Sequence, residues 1–147
     1  MHCRDIMSLR VYFCYEDEPV TRCAEIMKSE GVGFVPVLDS QQRLVGVLTD
    51  RDLVTRVMAN GKPLTTMVKE VVSREIISCR LDEDLKTVEK LMRDKKKSRI
   101  PIVNEKGECM GVISLSDIAR VETERQAGKI LRDVTLRESH LGSVVMV

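Results

Sequence analysis

Apolar and polar positions change period along this chain, and the same change happens twice. Phe34–Leu38 and Leu44–Thr49 are short apolar blocks separated by the polar stretch "DSQQR". Blocks of this length around a polar turn predict a two-stranded hairpin. Upstream, Val20, Cys23, Ala24 and Met27 recur at helical spacing and predict one buried helix face. Arg99–Val103, "NEKGE" and Cys109–Ser114 repeat the hairpin, while Leu85, Val88, Leu91 and Met92 repeat the helical stripe. Short apolar stretches, Val11–Cys14 and Ile76–Cys79, precede Asp17 and Asp82, residues well suited to cap a helix N-terminus. A final helix is expected from near Asp50 in one copy and Leu115 in the other. The grammar is strand, helix, strand, strand, helix, written twice.

The two copies superpose in sequence without a gap at an offset of 65 residues. Ser8 meets Ser73, Cys14 meets Cys79, Asp17 meets Asp82, Glu18 meets Glu83, Met27 meets Met92 and Pro36 meets Pro101. A solenoid needs at least about three units, so two copies indicate a duplicated module. Gly61 and Pro63 mark a linker, dividing the chain into residues 1–60, a linker at 61–66, a second repeat at 67–131 and an extension at 132–147. A unit this small buries only about 60% of its unfolded surface. The expected fold is therefore α/β (α+β): two tandem β-α-β-β-α repeats packed through their small sheets about a pseudo-twofold axis. Such packing leaves two related clefts, floored by strand ends and helix N-termini that suit anions.

Each hairpin ends in a hydroxyl followed three residues later by an aspartate: Thr49 and Asp52, then Ser114 and Asp117. Two readings stay open. The pair forms a capping box, the hydroxyl capping the helix and the carboxylate reaching back. Alternatively, the carboxylate accepts from both ribose hydroxyls of a nucleotide while the hydroxyl and helix N–H groups meet phosphate. Capping alone does not require the Gly-apolar-apolar strand in front, or the upstream apolar-Pro-apolar strand at the same distance in both copies.

Composition removes several function classes. The formal net charge is +1 and only four residues are aromatic, none of them Trp. That leaves neither a field nor a stacking platform for nucleic acid. No apolar run reaches the roughly 18–20 residues that cross a bilayer, so no membrane partner is expected. The five cysteines include no CxxC pair and read as reduced, buried small hydrophobes of a cytoplasmic protein. No metal cluster has ligand spacing, and His2 and His140 lack a nucleophile or acid at motif distance. Neither an enzyme nor a bound cofactor is expected.

The combination "VPV…LVGVLTDRDL" and "IPI…MGVISLSDI", with "CRDIM" and "KEVV" opening the copies, resembles a CBS-domain pair, or Bateman module. The resemblance covers residues 5–131. It implies a regulatory module that binds AMP, ADP, ATP or S-adenosylmethionine and senses energy or ligand for a partner protein. Its aspartate holds ribose, and its Ser/Thr groups meet phosphate. "SRIPIV" and "SLSDI" are similar to the AMP-binding repeat of the gamma subunit of AMP-activated protein kinase. That places Arg99, Ser114 and Ser116 on phosphate and Asp117 on ribose, with Thr49, Arg51 and Asp52 in the first repeat's corresponding positions. Phe34 stands where the second repeat has Arg99, and Asp50 adds a negative charge, so the second repeat is the better site. Val35 and Ile100 are expected to pack on adenine or offer it main-chain hydrogen bonds. Lys97, in "DKKKSR", extends the site toward a polyphosphate if the run is more than a solvated helix end. The family also implies a homodimer, with Leu53, Val57, Ile118 and Val121 as its apolar material unless they are core. The rival function is a structural dimerisation module with no nucleotide.

Overall fold

The computed structural model describes residues 1–136. The expected tail, Glu138–Val147 with His140, lies outside the described residues. The described chain is a mixed α+β fold with two three-stranded sheets, and its elements repeat. A short helix α1 (Cys3–Ile6) precedes β1 (Cys14–Tyr15), α2 (Val20–Glu30), β2 (Phe34–Leu38), β3 (Leu44–Thr49) and α3 (Asp50–Asp52). Helix α3 runs on as a π-helical stretch (Leu53–Met58). Then come α4 (Val68–Val71), β4 (Cys79–Arg80), α5 (Leu85–Lys95), β5 (Arg99–Val103), β6 (Cys109–Ser114), α6 (Leu115–Val121) and α7 (Glu124–Thr135). The sheets are ordered β1-β2-β3 and β4-β5-β6.

Hairpin boundaries coincide with the apolar blocks because each turn carries its own chemistry. Asp39 Oδ1 accepts from Gln41 N (2.8 Å) and Arg43 N (3.0 Å). At the equivalent place Asn104 Oδ1 accepts from Lys106 N (2.9 Å) and Glu108 N (3.0 Å). These side chains hold the turn that a backbone ladder leaves open. Strand β2 runs parallel to β1 (Cys14 beside Val37) and antiparallel to β3 (Phe34 beside Thr49, Pro36 beside Val47). Residues Leu44, Gly46 and Leu48 of β3 are buried and their neighbours are less so, the alternation of a strand with one covered face.

The expected caps are corrected. Asp17 and Asp82 do not cap α2 and α5; Pro19 and Asp84 stand there, and Asp84 accepts from Lys86 N. Asp17 instead falls in a turn closed by Glu18 N to Tyr15 O (3.1 Å), which consumes two residues before the helix starts.

The chain divides into two compact units that do not coincide with the sequence repeats. Among the described residues, one holds Met1–Leu9, Ile77–Ile102 and 111–136; the other holds Arg10–Ile76 and Val103–Met110. In the first unit, α1 is tied to the β4 region by Cys3 N to Glu83 O (2.9 Å) and Arg4 N to Leu81 O (3.1 Å). Ser8 forms an antiparallel bridge with Val112. In the second unit, Val68 N reaches Glu18 O (2.8 Å), and Ser73 bridges Val47. The leading segment of each repeat thus packs on the sheet of the other repeat's sequence. This explains the glycine of the repeated strand. A Cβ at Gly111 would lie 2.7 Å from Met7 Sδ and 2.9 Å from Ser8 O, and one at Gly46 would strike Ser73 O. Only a residue without a side chain lets the segment approach this closely.

Each unit has its own core. Cys3, Cys79, Leu85, Val88, Met92, Ile100, Ile102, Ile113, Ile118, Ile130 and Val134 form one; Cys14, Val20, Cys23, Val35, Val37, Leu48, Val57, Val68 and Val71 belong to the other. Helix α7 supplies Ile130 and Val134 and runs through the expected boundary at residue 131, so the start of the extension is core. Two of the five cysteines, Cys14 and Cys23, lie side by side in one core, with Cα atoms 6.1 Å apart. Pairing of β1 beside α2 brings together residues nine apart in sequence, a spacing that no metal or CxxC pattern flags.

Candidate functional site

In the second repeat, Ser114 ends β6 and caps α6. Ser114 Oγ accepts from Asp117 N (3.3 Å), while Asp117 Oδ2 accepts from Ser114 N and from Ser114 Oγ, both at 2.8 Å. Asp117 Oδ1 pairs with Arg120 Nη1 at 3.2 Å. Leu115 N donates to Ser98 O (3.0 Å), which holds the start of β5 beside the start of α6. Arg99, Ser116 and Lys97 are exposed around this junction. The Arg99 guanidinium has no ion pair with a carboxylate among the described residues.

The first repeat repeats the box with different surroundings. Thr49 Oγ1 accepts from Asp52 N (3.2 Å), and Asp52 Oδ2 accepts from Thr49 N (2.9 Å). Asp52 Oδ1 faces Arg56 Nε at 3.6 Å. Arg56 is itself anchored, donating to Val71 O (2.9 Å) and Ser73 Oγ (3.2 Å). Asp50 N donates to Gly33 O (3.1 Å), and the Asp50 carboxylate lies so close that a Cβ on Gly33 would meet its Oδ2 at 2.7 Å. Arg51 is exposed, while Asp52, Thr49 and Phe34 are half-buried.

The capping half of the hydroxyl-x-x-aspartate reading is therefore physically present in both repeats. The two carboxylates differ in what holds them. Arg120 is 75% exposed and Arg56 only 41%, with two further hydrogen bonds. Moving Arg120 away costs little, as expected of an exposed ion pair. Moving Arg56 leaves Val71 O and Ser73 without their donor.

Val35 and Ile100 are both 0% exposed and belong to the two cores, so their side chains face away from solvent. Period-two alternation puts consecutive strand residues on opposite faces, and these positions take the inner one. Pro36 and Pro101, next along each strand, are buried as well. Of the four residues expected as dimer material, Val57 (3%) and Ile118 (1%) are core and Leu53 packs against it. Val121 is exposed, with Val54 and Met58 on the π-helical stretch. In "DKKKSR", Lys96 terminates α5 in the left-handed region (φ 55°) and its Nζ donates to Asp133 O at 2.7 Å. A cavity of about 440 Å³ lies among Lys90, Arg93, Asp94, Lys96, Lys129 and Asp133, and none of the expected site residues lines it.

Sequence reasoning missed Arg56 and the docking of the leading segments on β3 and β6. The signals were there: Arg56 stands four residues after Asp52, and Ser8 and Ser73 are an identical pair in the repeat. Among the described residues no group of three or more His, Cys, Asp or Glu could hold a metal ion. No helix among them is long and apolar enough to cross a membrane.

Comparison with known proteins agrees with this architecture. CBS domain-containing protein YhcV of Bacillus subtilis is 31% identical over 138 residues, 93% of this chain and 97% of that protein. The CBS domain pair of protein MJ0100, solved with 5'-methylthioadenosine and S-adenosyl-L-methionine, superposes with a TM-score of 0.72 at 23% identity, covering 82% of this chain and 94% of that one. CBSX2 in complex with AMP gives 0.70 at 21% identity, covering 81% and 93%. The CBS domain model matches twice, at residues 3–59 and 68–124, which together span both repeats, and the chain belongs to the CBS-domain family as a tandem pair.

Proposed function

We propose that this CBS pair is a regulatory module that binds an adenine nucleotide or a related adenosine compound at the second repeat and reports it to a partner protein. One observation carries the choice of repeat. Among the described residues only the exposed Arg120 holds the outer oxygen of Asp117, whereas Asp52 is tied through Arg56 to the 71–73 segment. Arg99 and Ser116 are exposed beside Asp117 and suit phosphate, and Lys97 extends the positive edge. At the first repeat the Asp50 carboxylate occupies that edge and repels phosphate. In this reading ribose takes Asp117 Oδ1 as Arg120 swings out, Ser114 and Ser116 meet phosphate, and the Ile100 main chain meets adenine. Thr49, Arg51, Asp52 and the Val35 main chain form a weaker counterpart.

Support from relatives is chemical rather than specific: one CBS pair of this fold was solved with methylthioadenosine and S-adenosylmethionine, another with AMP. A ligand-dependent change acts on a partner only through different affinity for two states of the pair. Exposed Val54, Met58 and Val121 offer apolar surface for a homodimer.

A thermal-shift screen of AMP, ADP, ATP, GTP and S-adenosylmethionine tests the reading. A ligand at 100 times its Kd stabilises the fold by about 2.7 kcal/mol, which is readily seen. The second reading, a structural dimerisation module, rests on the complete capping boxes in both repeats. A flat response across the panel, with a dimer in light scattering, would select it.

A further inference from the structure

The cores of the two units place cysteine at one shared position and then partner it differently. Cys14 of β1 and Cys79 of β4 are equivalent under the 65-residue offset, and both are buried. In one unit the partner comes from the helix: Cys14 lies against Cys23 of α2, and Val68 of the docked leading segment packs in the same core. In the other, the helix position holds Val88, and the docked segment supplies the sulfur: Cys3 of α1. Cys3 (0% exposed) and Cys79 (2%) pack in one core, and the backbone bonds from Cys3 N and Arg4 N to residues 83 and 81 fix α1 against that strand end. We propose that Cys3 and Cys79 form an oxidisable dithiol, closed to a disulfide by a low-molecular-weight disulfide such as oxidised glutathione, which staples the first residues of the chain onto the second repeat.

The reaction balances as thiol–disulfide exchange. Cys3 thiolate attacks the oxidant's sulfur and releases one thiol, leaving a mixed disulfide at Cys3. Cys79, as thiolate, then attacks the Cys3 sulfur and releases the second. Two cysteine thiols and one oxidant disulfide become one protein disulfide and two small thiols. The position of each cysteine assigns the order. Cys3 rides on the single terminal turn α1, whereas Cys79 belongs to strand β4 inside the core. Cys3 is thus the first nucleophile and Cys79 the resolving thiol. Attack on the oxidant takes place when α1, a single terminal turn flanked by exposed His2, Arg4 and Asp5, undocks locally. Redocking returns Cys3 to Cys79.

The consequence reaches the repeated glycine strand. Met7 and Ser8 follow α1 directly and lie on Gly111 and Val112, three to two residues before Ser114. A covalent Cys3–Cys79 link holds this segment down on β6 where hydrogen bonds alone let it open.

The test uses the full chain, reduced and then equilibrated with oxidised glutathione. Remaining thiols are blocked with N-ethylmaleimide before trypsin digestion and mass spectrometry. The expected product joins peptide 1–4, "MHCR", to peptide 75–80, "EIISCR", lighter than their sum by two hydrogens. Hydrogen exchange of the amides in residues 3–8 should slow by about tenfold or more and return to its starting rate with dithiothreitol. In Cys79→Ser, Cys3 should stop at the glutathione mixed disulfide and show no slowing; Cys79→Ala, which keeps the site apolar, carries the same test if the serine variant does not fold. Recovery of Cys3 and Cys79 as maleimide adducts overturns the proposal. So does a link from Cys3 to Cys14, Cys23, Cys109 or a second chain, or slowed exchange in the Cys79 variants.

Discussion

Replacing Asp117 by Asn separates the two roles its carboxylate can have. In the free protein Asp117 accepts from Ser114 N and Oγ on one oxygen and meets Arg120 on the other. An asparagine of the same shape still offers one oxygen to Ser114 N. The Arg120 pair is lost, but that side chain is 75% exposed and contributes little. The ligand-free variant should therefore stay within about 0.5 kcal/mol of the parent, less than the ~1 kcal/mol lost with the carboxylate half of the capping box in Asp117→Ala. Binding is a different matter. A carboxylate accepts from both ribose hydroxyls with charge assistance, and a neutral amide does not. Losing that interaction should cost about 1.5–3 kcal/mol, one to two decades in affinity. Isothermal titration with the ligand found in the thermal screen, together with ligand-free melting of parent, Asn and Ala forms, reads both quantities. Equal affinity in all three, with a melting point lowered only in Ala, would refute the ribose role and leave Asp117 as a cap.

Three further outcomes follow from the same geometry. Arg99→Ala should weaken binding of a phosphorylated adenosine ligand about tenfold or more while leaving adenosine itself unchanged, since only phosphate needs the guanidinium; equal losses for both ligands would remove Arg99 from the phosphate site. Gly46→Ala should destabilise the fold by about 1–3 kcal/mol in urea, because the new Cβ meets the Ser73 backbone, which has no rotamer to change; parental stability would mean the 67–73 segment does not dock as described. Glu89, buried at 2% exposure, has its carboxyl pushed up by burial and then by its contact with Glu122. The folded state therefore holds the Glu89 proton more tightly than the unfolded chain. Its contribution is fully present below the ordinary glutamate value of about 4.3 and is lost as pH rises through the raised folded value. Melting curves of parent and Glu89→Gln across that range should diverge in favour of the glutamine as pH rises, and a pH-independent difference would contradict this.

Much of the fold was legible because it is local. The bounds of β2, β3, β5 and β6 follow from apolar blocks closed by polar turns, and Asp39 and Asn104 write those turns twice with the same hydrogen bonds. The capping boxes at Thr49–Asp52 and Ser114–Asp117 span three residues, within reach of a spacing argument. Helix starts were less legible, since the turn at Tyr15–Glu18 takes up residues whose side chains would otherwise cap.

What only the tertiary structure decided involves residues far apart in sequence. Two similar repeats build two similar sheets, so the sequence of a leading segment does not state which sheet it will cover. Docking of 1–9 on β6 and of 67–73 on β3 settles it, and that contact is what requires Gly111 and Gly46 to be glycine. The same docking sets Cys3 against Cys79 and gives Arg56 its partners at Val71 and Ser73, none of which a window of neighbouring residues contains. Val35 and Ile100 make the same point from the other side. Their place before a proline was legible, but the face they show depends on which side of each sheet the helices cover. Periodicity along a chain reports that a residue has a buried face; it takes the packed sheet to say what lies against it.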